Sequence, residues 1–177
     1  MDKRNAGLVR FYHHETQLHQ RNAGDVFRYE ERSGGMRESG AIWSGSVEDP
    51  LTAVQRVDFH HELCNDRATA LSMELSEEAK FRLYDDLRKE GLKLAALVHT
   101  HPSDWVGLSE VDRENQLCSR VGFWSLVVPR YGRKPWVLEE LGIHIQTDGG
   151  WYELQSEEVT SMVSVEGFTW RATNIAS

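Results

Sequence analysis

Apolar and polar positions divide the chain into short runs broken by turn residues, with one long amphipathic segment near the middle. Residues 24–32 (GDVFRYEER) alternate weakly and predict a strand, closed by the turn signal at 33–35 (SGG). Residues 38–45 (ESGAIWSG) form a short apolar run ending in Gly, a second strand. Residues 46–66 are mixed, with a loop opening at Asp49-Pro50, and a strand is expected over 67–75. The clearest element is a helix over 76–90 (SEEAKFRLYDDLRKE). Ser76 is its N-cap, and Glu77 and Glu78 sit at the positive end of its dipole. Phe81, Leu83, Tyr84 and Leu87 give the apolar stripe, and Gly91 is the stop. Residues 92–98 (LKLAALV) are almost continuously apolar, as in a central strand buried on both faces. A loop and a second helix over 109–119 follow, then strands at 123–129, 136–146 and 150–154 and a short helix over 156–163. This alternation predicts an α/β fold, a central mixed sheet flanked by helices, in a single domain over 1–177. Residues 1–30 read as an N-terminal extension, and the pattern leaves open how 156–177 is built.

Composition narrows the function classes. The length of 177 residues suits one domain, and 40% hydrophobic with 27% charged residues is ordinary for a globular chain. The formal net charge of -8 disfavours a nucleic-acid partner. Arg130, Arg133 and Lys134 are the one basic hint near the middle, and they read as a solvated loop. Cys64 and Cys118 do not make a disulfide framework. The first residues lack an apolar stretch of signal-peptide type, and no run of ~18 apolar residues exists to span a membrane. A cytoplasmic location is the expectation.

The informative segment is His99-Thr100-His101-Pro102, followed by Ser109 and Asp112. A His-x-His pair leaving the end of a buried strand can turn both imidazoles toward one point. Pro102 ends the ladder there. Asp112 falls in the first turn of the next helix, from which its carboxylate can reach back. Two imidazoles and one carboxylate form a catalytic-type zinc set, with the fourth position left for water. Requiring His-x-His together with Ser and Asp at fixed later positions lowers the chance expectation to roughly 0.002 per chain. Ser109 and Asp112 also form a near capping box, and both roles can hold at once.

The spacing of His99, His101, Ser109 and Asp112 resembles the JAMM motif of MPN+ metallopeptidases. Residues 38–45 resemble the Glu-bearing strand of that family's prokaryotic, JAB-domain form, with Trp43 where an aliphatic residue is usual and Ala41 where a Gly is frequent. Glu30, Glu31 and Glu48 remain alternative positions for the glutamate. The resemblance covers roughly residues 38–130. It implies a single MPN-like (cytidine-deaminase-like) domain, one zinc ion per chain held by His99, His101 and Asp112, Glu38 as general base and Ser109 as a donor to the developing oxyanion. It implies a deubiquitinase-like isopeptidase or peptidase acting at the C-terminus of a ubiquitin-like protein or its conjugate. Small bacterial members resemble components of ubiquitin-like conjugation operons, some acting against phage.

Other readings stay open at this level: a zinc hydrolase of another amide, such as one releasing an amino acid from a carrier protein; a non-catalytic MPN scaffold; and a RadC-like protein linked to DNA, against which the acidic balance counts. Trp105 is a candidate for touching the substrate tail, with packing against the sheet edge as the plainer role. His60, His61, Glu62 and Cys64 read as a polar surface loop, His13 and His14 as surface residues, and Cys118 as core on the inner face of the second helix. Oligomeric state is not legible.

Overall fold

Short apolar runs with period two become strands, and the segment with period 3.6 becomes the main helix. The computed structural model describes residues 8–11, 38–46, 51–60, 63, 75–133 and 138–165. In chain order its elements are β1 (Leu8–Phe11), β2 (Gly40–Gly45), β3 (Leu51–Phe59), α1 (Glu77–Glu90), β4 (Lys93–Thr100), α2 (Glu110–Glu114), β5 (Trp124–Val128), β6 (Gly142–Thr147), β7 (Gly150–Glu153), α3 (Ser156–Met162) and β8 (Val163–Val165). Single turns of 3-10 helix occupy Arg130–Gly132 and Leu138–Glu140.

The strands lie in the order β7-β6-β5-β4-β2-β3-β1-β8. β4 runs antiparallel to β2 and parallel to β5, so the sheet is mixed and β4 is interior to it, buried along nearly its whole length. Alternation of side chains sends the two sets of residues to opposite faces. One face buries Ala41, Trp43, Ala96, Val98, Trp124, Leu126 and Ile143 together with Val159 of α3. The other buries Ile42, Leu94 and Phe123 against Ala79, Leu83 and Leu87 of α1. Helices therefore cover both faces, the α/β arrangement expected from the sequence. No helix among the described residues is long and apolar enough to cross a membrane.

α1 begins and ends as its sequence dictates. Ser76 Oγ accepts from the Ala79 N–H at 3.2 Å, and Gly91 takes the left-handed conformation (φ 68°) that closes the helix. Its buried stripe is corrected: Ala79, Leu83 and Leu87 face the sheet, while Phe81 is 73% exposed. Two residues turn a helix by about 200°, which places Phe81 across from Ala79. Tyr84 is half-out, and its hydroxyl donates to the Leu117 carbonyl at 2.7 Å.

Three further expectations change. Residues 51–59, within the stretch expected to be mixed, form β3, which pairs with β2 and is tied to the end of α1 by Arg56, held by Asp58 at 2.8 Å and Glu90 at 2.7 Å. The second helix stops at Glu114 instead of 119: Asn115 caps it, Leu117 turns into the core, and the Leu117 carbonyl is taken by Tyr84. The strand expected at 136–146 starts at Gly142, after the 3-10 turn. β1 and β8 fall within the terminal stretches, where no strand was expected. The strand at 24–32, the turn at 33–35 and most of the strand at 67–75 lie outside the described residues, as do His13, His14, Glu30, Glu31, Glu48 and Lys134.

Candidate metal centre

β4 delivers the two histidines. His99 and His101 are two residues apart at the strand's C-terminal end, so their side chains leave the same face, with Thr100 on the other. Both are buried. α2 then brings Asp112 over that end from its first turn. The His99 Nε2 lies 3.2 Å from the His101 Nε2. Asp112 Oδ1 stands 3.4 Å from His99 Nε2, and Asp112 Oδ2 stands 3.4 Å from His101 Nε2. Ligand atoms ~2.0–2.1 Å from a tetrahedral zinc are about 3.3 Å apart, so the His99–His101 edge matches such an ion, and with one Asp112 oxygen the three ligand atoms lie within 4.8 Å of one another. Among the described residues this is the one group of three or more His, Cys, Asp or Glu side chains that could hold a metal.

Asp112 and His101 are themselves held by neighbouring groups. The Ser109 Oγ accepts from the Asp112 N–H at 3.1 Å, while the Ser109 N–H and hydroxyl donate to Asp112 Oδ2 at 2.7 and 2.6 Å. This capping box fixes the first turn of a five-residue helix that has little stability of its own. His101 Nδ1 lies 3.1 Å from the Trp105 carbonyl, a contact that requires Nδ1–H and leaves the Nε2 lone pair free for a cation. The loop carrying that carbonyl is clamped from β5. Arg130 and Tyr131 adopt left-handed backbone (φ 55° and 54°), and their N–H groups donate to the Ser103 and His101 carbonyls at 2.9 and 2.7 Å. Left-handed backbone is unfavourable for two successive non-glycine residues, and these loop bonds offset it. On the far side the Val106 carbonyl packs against Gly142 so closely that a Cβ there would lie 1.9 Å from it.

Glu38 reaches the same place from β2. Gly40 is paired with His99, and the Thr100 N–H donates to the Ser39 carbonyl at 2.9 Å, so Glu38 continues the ladder opposite His101 and shares its face. The Ser39 N–H in turn donates to Thr100 Oγ1 at 3.0 Å, pinning the backbone beside Glu38. Glu38 is 6% exposed and its charge acts on His101. Burial disfavours the charged form of His101, but the Asp112 hydrogen bond and charge, the Trp105 carbonyl and the Glu38 charge outweigh it and raise its pKa. Burial likewise opposes ionisation of Asp112, yet His101, His99 and Ser109 hold its carboxyl far below the usual range. A carboxylate between two imidazoles, with a second carboxylate nearby, demands positive charge, which a divalent ion would satisfy.

Trp105 is 54% exposed and stacks on the His101 ring, centroids 5.3 Å apart at 24°. It is therefore neither core nor sheet edge, but an open aromatic lip beside the ligands. The expected surface loop at His60 is corrected: His60 is buried at the end of β3, while His61, Glu62 and Cys64 lie outside the described residues. Cys118 lies past the end of α2 and packs, partly buried, against the α1 core. Arg130 pairs with Asp104 and Glu140, which leaves little of the basic hint. The sequence reading passed over the support given by Thr100, Gly142 and the Trp105 carbonyl. Only the strand register and loop path reveal these, apart from the isolated Gly that hinted at a close approach.

No family model matches the chain. It is 25% identical over 165 residues, 93% of this chain and 96% of the relative, to a Sinorhizobium fredii protein described as a probable metalloprotease. The solution structure of a Desulfitobacterium hafniense protein has the same fold, with a TM-score of 0.57 at 14% identity over 89% of this chain and 92% of that one. A JAB1/MPN domain protein from Archaeoglobus fulgidus is matched at a TM-score of 0.39 and 19% identity, over 75% of this chain and 88% of that one. The metalloprotease relative, together with the His99, His101 and Asp112 group, supports a metallopeptidase-like function.

Proposed function

We propose that this chain is a zinc-dependent peptidase or isopeptidase of the JAMM type, acting on the bond at the C-terminus of a ubiquitin-like protein, in a conjugate or a precursor. One observation supports the reading: the Nε2 atoms of His99 and His101 lie 3.2 Å apart, each has an Asp112 carboxylate oxygen at 3.4 Å, and Glu38 shares their sheet face. His99, His101 and Asp112 would hold one zinc ion per chain. Zinc, when bound, supplies a Lewis acid that polarises the scissile carbonyl and lowers the pKa of water to about 7.

The remaining chemistry belongs to the chain. Glu38 accepts the proton of the attacking water. Its burial on the ligand face keeps bulk water from competing for that proton. Glu38 then delivers the proton to the leaving amine, a lysine side chain where the bond is an isopeptide. The Ser109 hydroxyl turns from Asp112 toward the oxyanion of the tetrahedral intermediate, while the Ser109 N–H keeps Asp112 in place. Trp105, exposed beside the ligands, stacks against the extended tail that enters the site.

Elemental analysis of purified protein tests the centre, wild type beside His101→Ala. Near-stoichiometric zinc that the variant lacks is expected, and wild type that takes up none, even when offered it, would sink the reading. Fluorogenic ubiquitin-like C-terminal peptides set against small amides test the substrate, and turnover of the small amides alone would reassign it.

A further inference from the structure

Beneath the metal centre lies a histidine that the mechanism does not use. His144 stands in the middle of β6, paired with Ser125 on β5 and Glu153 on β7. Val127, two residues after Ser125, is paired with His99, so His144 shares the face of His99 one pleat deeper in the sheet. It is 2% exposed, and neither ring nitrogen forms a hydrogen bond of ordinary geometry among the described residues. Glu153 is nearest, its Oε2 3.9 Å from the His144 Nε2, beyond hydrogen-bond reach. Buried ring nitrogens that receive no more than a weak pull from the Ser125 backbone and Glu153 destabilise a fold, and a leucine of similar volume would suit this position better. Burial lowers the pKa of His144, against the pull of Glu153 and the Ser125 backbone, so the ring is neutral, with one N–H to give and one lone pair to offer.

His99 has the matching deficiency. Its Nδ1 is buried without a partner, whereas the Nδ1 of His101 has the Trp105 carbonyl. A metal-ligating imidazole ordinarily gives its far N–H to a second group, which fixes its tautomer and orientation. His144 lies two strands across and two residues along from His99, about 12 Å between backbones, a span that two tilted imidazoles and one water fill. On β5 the diagonal between them passes between Ser125, which is small, and Val127. His99 and, from α2, Arg113 lie close enough for their charges to act on His144.

We propose that His144 is a positioning residue of the metal centre: through one buried water it partners His99 Nδ1 and so holds His99 Nε2 toward His101 and Asp112. The inference rests on the metal-centre reading above. Its test separates function from packing, because the two roles move stability and metal affinity in different directions. The affinity of wild type, His144→Leu and His144→Gln for zinc is measured by competition with a chromophoric chelator. The visible spectrum of each cobalt-loaded protein and the melting temperature of each metal-free protein are recorded beside it. His144→Leu is expected to weaken zinc about 10–100-fold and shift the cobalt bands, with the metal-free melting temperature unchanged or higher. His144→Gln, which keeps a polar end, recovers part of the affinity. Wild-type affinity and spectrum in His144→Leu would overturn the proposal. So would a fall in metal-free melting temperature that tracks the loss of affinity in both variants. Wild-type protein that binds no metal would overturn the metal-centre reading itself, a distinguishable result.

Discussion

At Glu38, position and chemistry can be separated experimentally, because the carboxylate lies beside the ligand set without belonging to it. Glu38→Gln keeps the shape and removes the base. It should lower kcat about 10²–10⁴-fold while zinc content stays at the wild-type level; turnover within a few fold of wild type would remove Glu38 from the mechanism. Ser109 combines two roles in one hydroxyl. Ser109→Ala should cost about 1 kcal/mol through the lost N-cap and, because Asp112 also loses a donor, weaken zinc. Ser109→Thr should restore the melting temperature and much of the zinc affinity, as seen by thermal melts and chelator competition. At this scale the ligands were legible because their spacing is local: a His-x-His pair on a strand must share a face, and Ser-x-x-Asp must form one helical turn. His144 was not, because a single histidine in an alternating strand has no partner in sequence, and only the register across β5 sets it beneath His99.

Among the elements, the loop between β4 and α2 depends most on a distant residue. Its Val106 carbonyl occupies the volume where a Cβ of residue 142 would sit, so β6 accepts only glycine at its first position. Gly142→Ala should push the loop outward, carry the Trp105 carbonyl away from His101 Nδ1, and lower both the melting temperature and zinc affinity. Gly91→Ala offers the contrast. It strains a left-handed cap in open space, so it should cost about 1 kcal/mol and leave zinc affinity unchanged. Equal effects of the two variants on zinc would remove the loop from the argument. α1 and β4 were readable because propensity, capping and apolar period agree within each segment. β3 was missed although Leu51, Ala53, Val57 and Phe59 alternate. Its polar members, Arg56 and Asp58, pair with each other, and Arg56 also reaches Glu90 at the end of α1, 34 residues on. The second helix was overextended for a similar reason. The sequence continues helically, but Tyr84 takes the Leu117 carbonyl and ends it.

For the whole molecule, protons and a metal compete for one constellation, and the sign of that competition can be worked out. His101 has a folded pKa raised above its ordinary 6.5. In metal-free protein its contribution to stability is therefore fully present below about pH 6.5 and is lost as pH rises through the folded value. Asp112 has a folded pKa lowered from 3.8. Its contribution is present above about pH 4 and is lost as pH falls toward the folded value. The metal-free centre thus supports the fold best between about pH 4 and 6.5, and less at higher pH. Metal works in the opposite sense, because zinc needs neutral imidazoles and its affinity grows as they lose protons. Binding adds stability as RT ln(1 + [M]/Kd), so the melting temperature of loaded protein exceeds that of chelated protein by a gap that should widen from about pH 6 to pH 8. Thermal melts of zinc-loaded and chelator-treated protein across that range measure the gap directly. It should be absent in His101→Ala. A gap that narrows with pH, or that persists in the variant, would mean that the metal sits on groups other than these imidazoles.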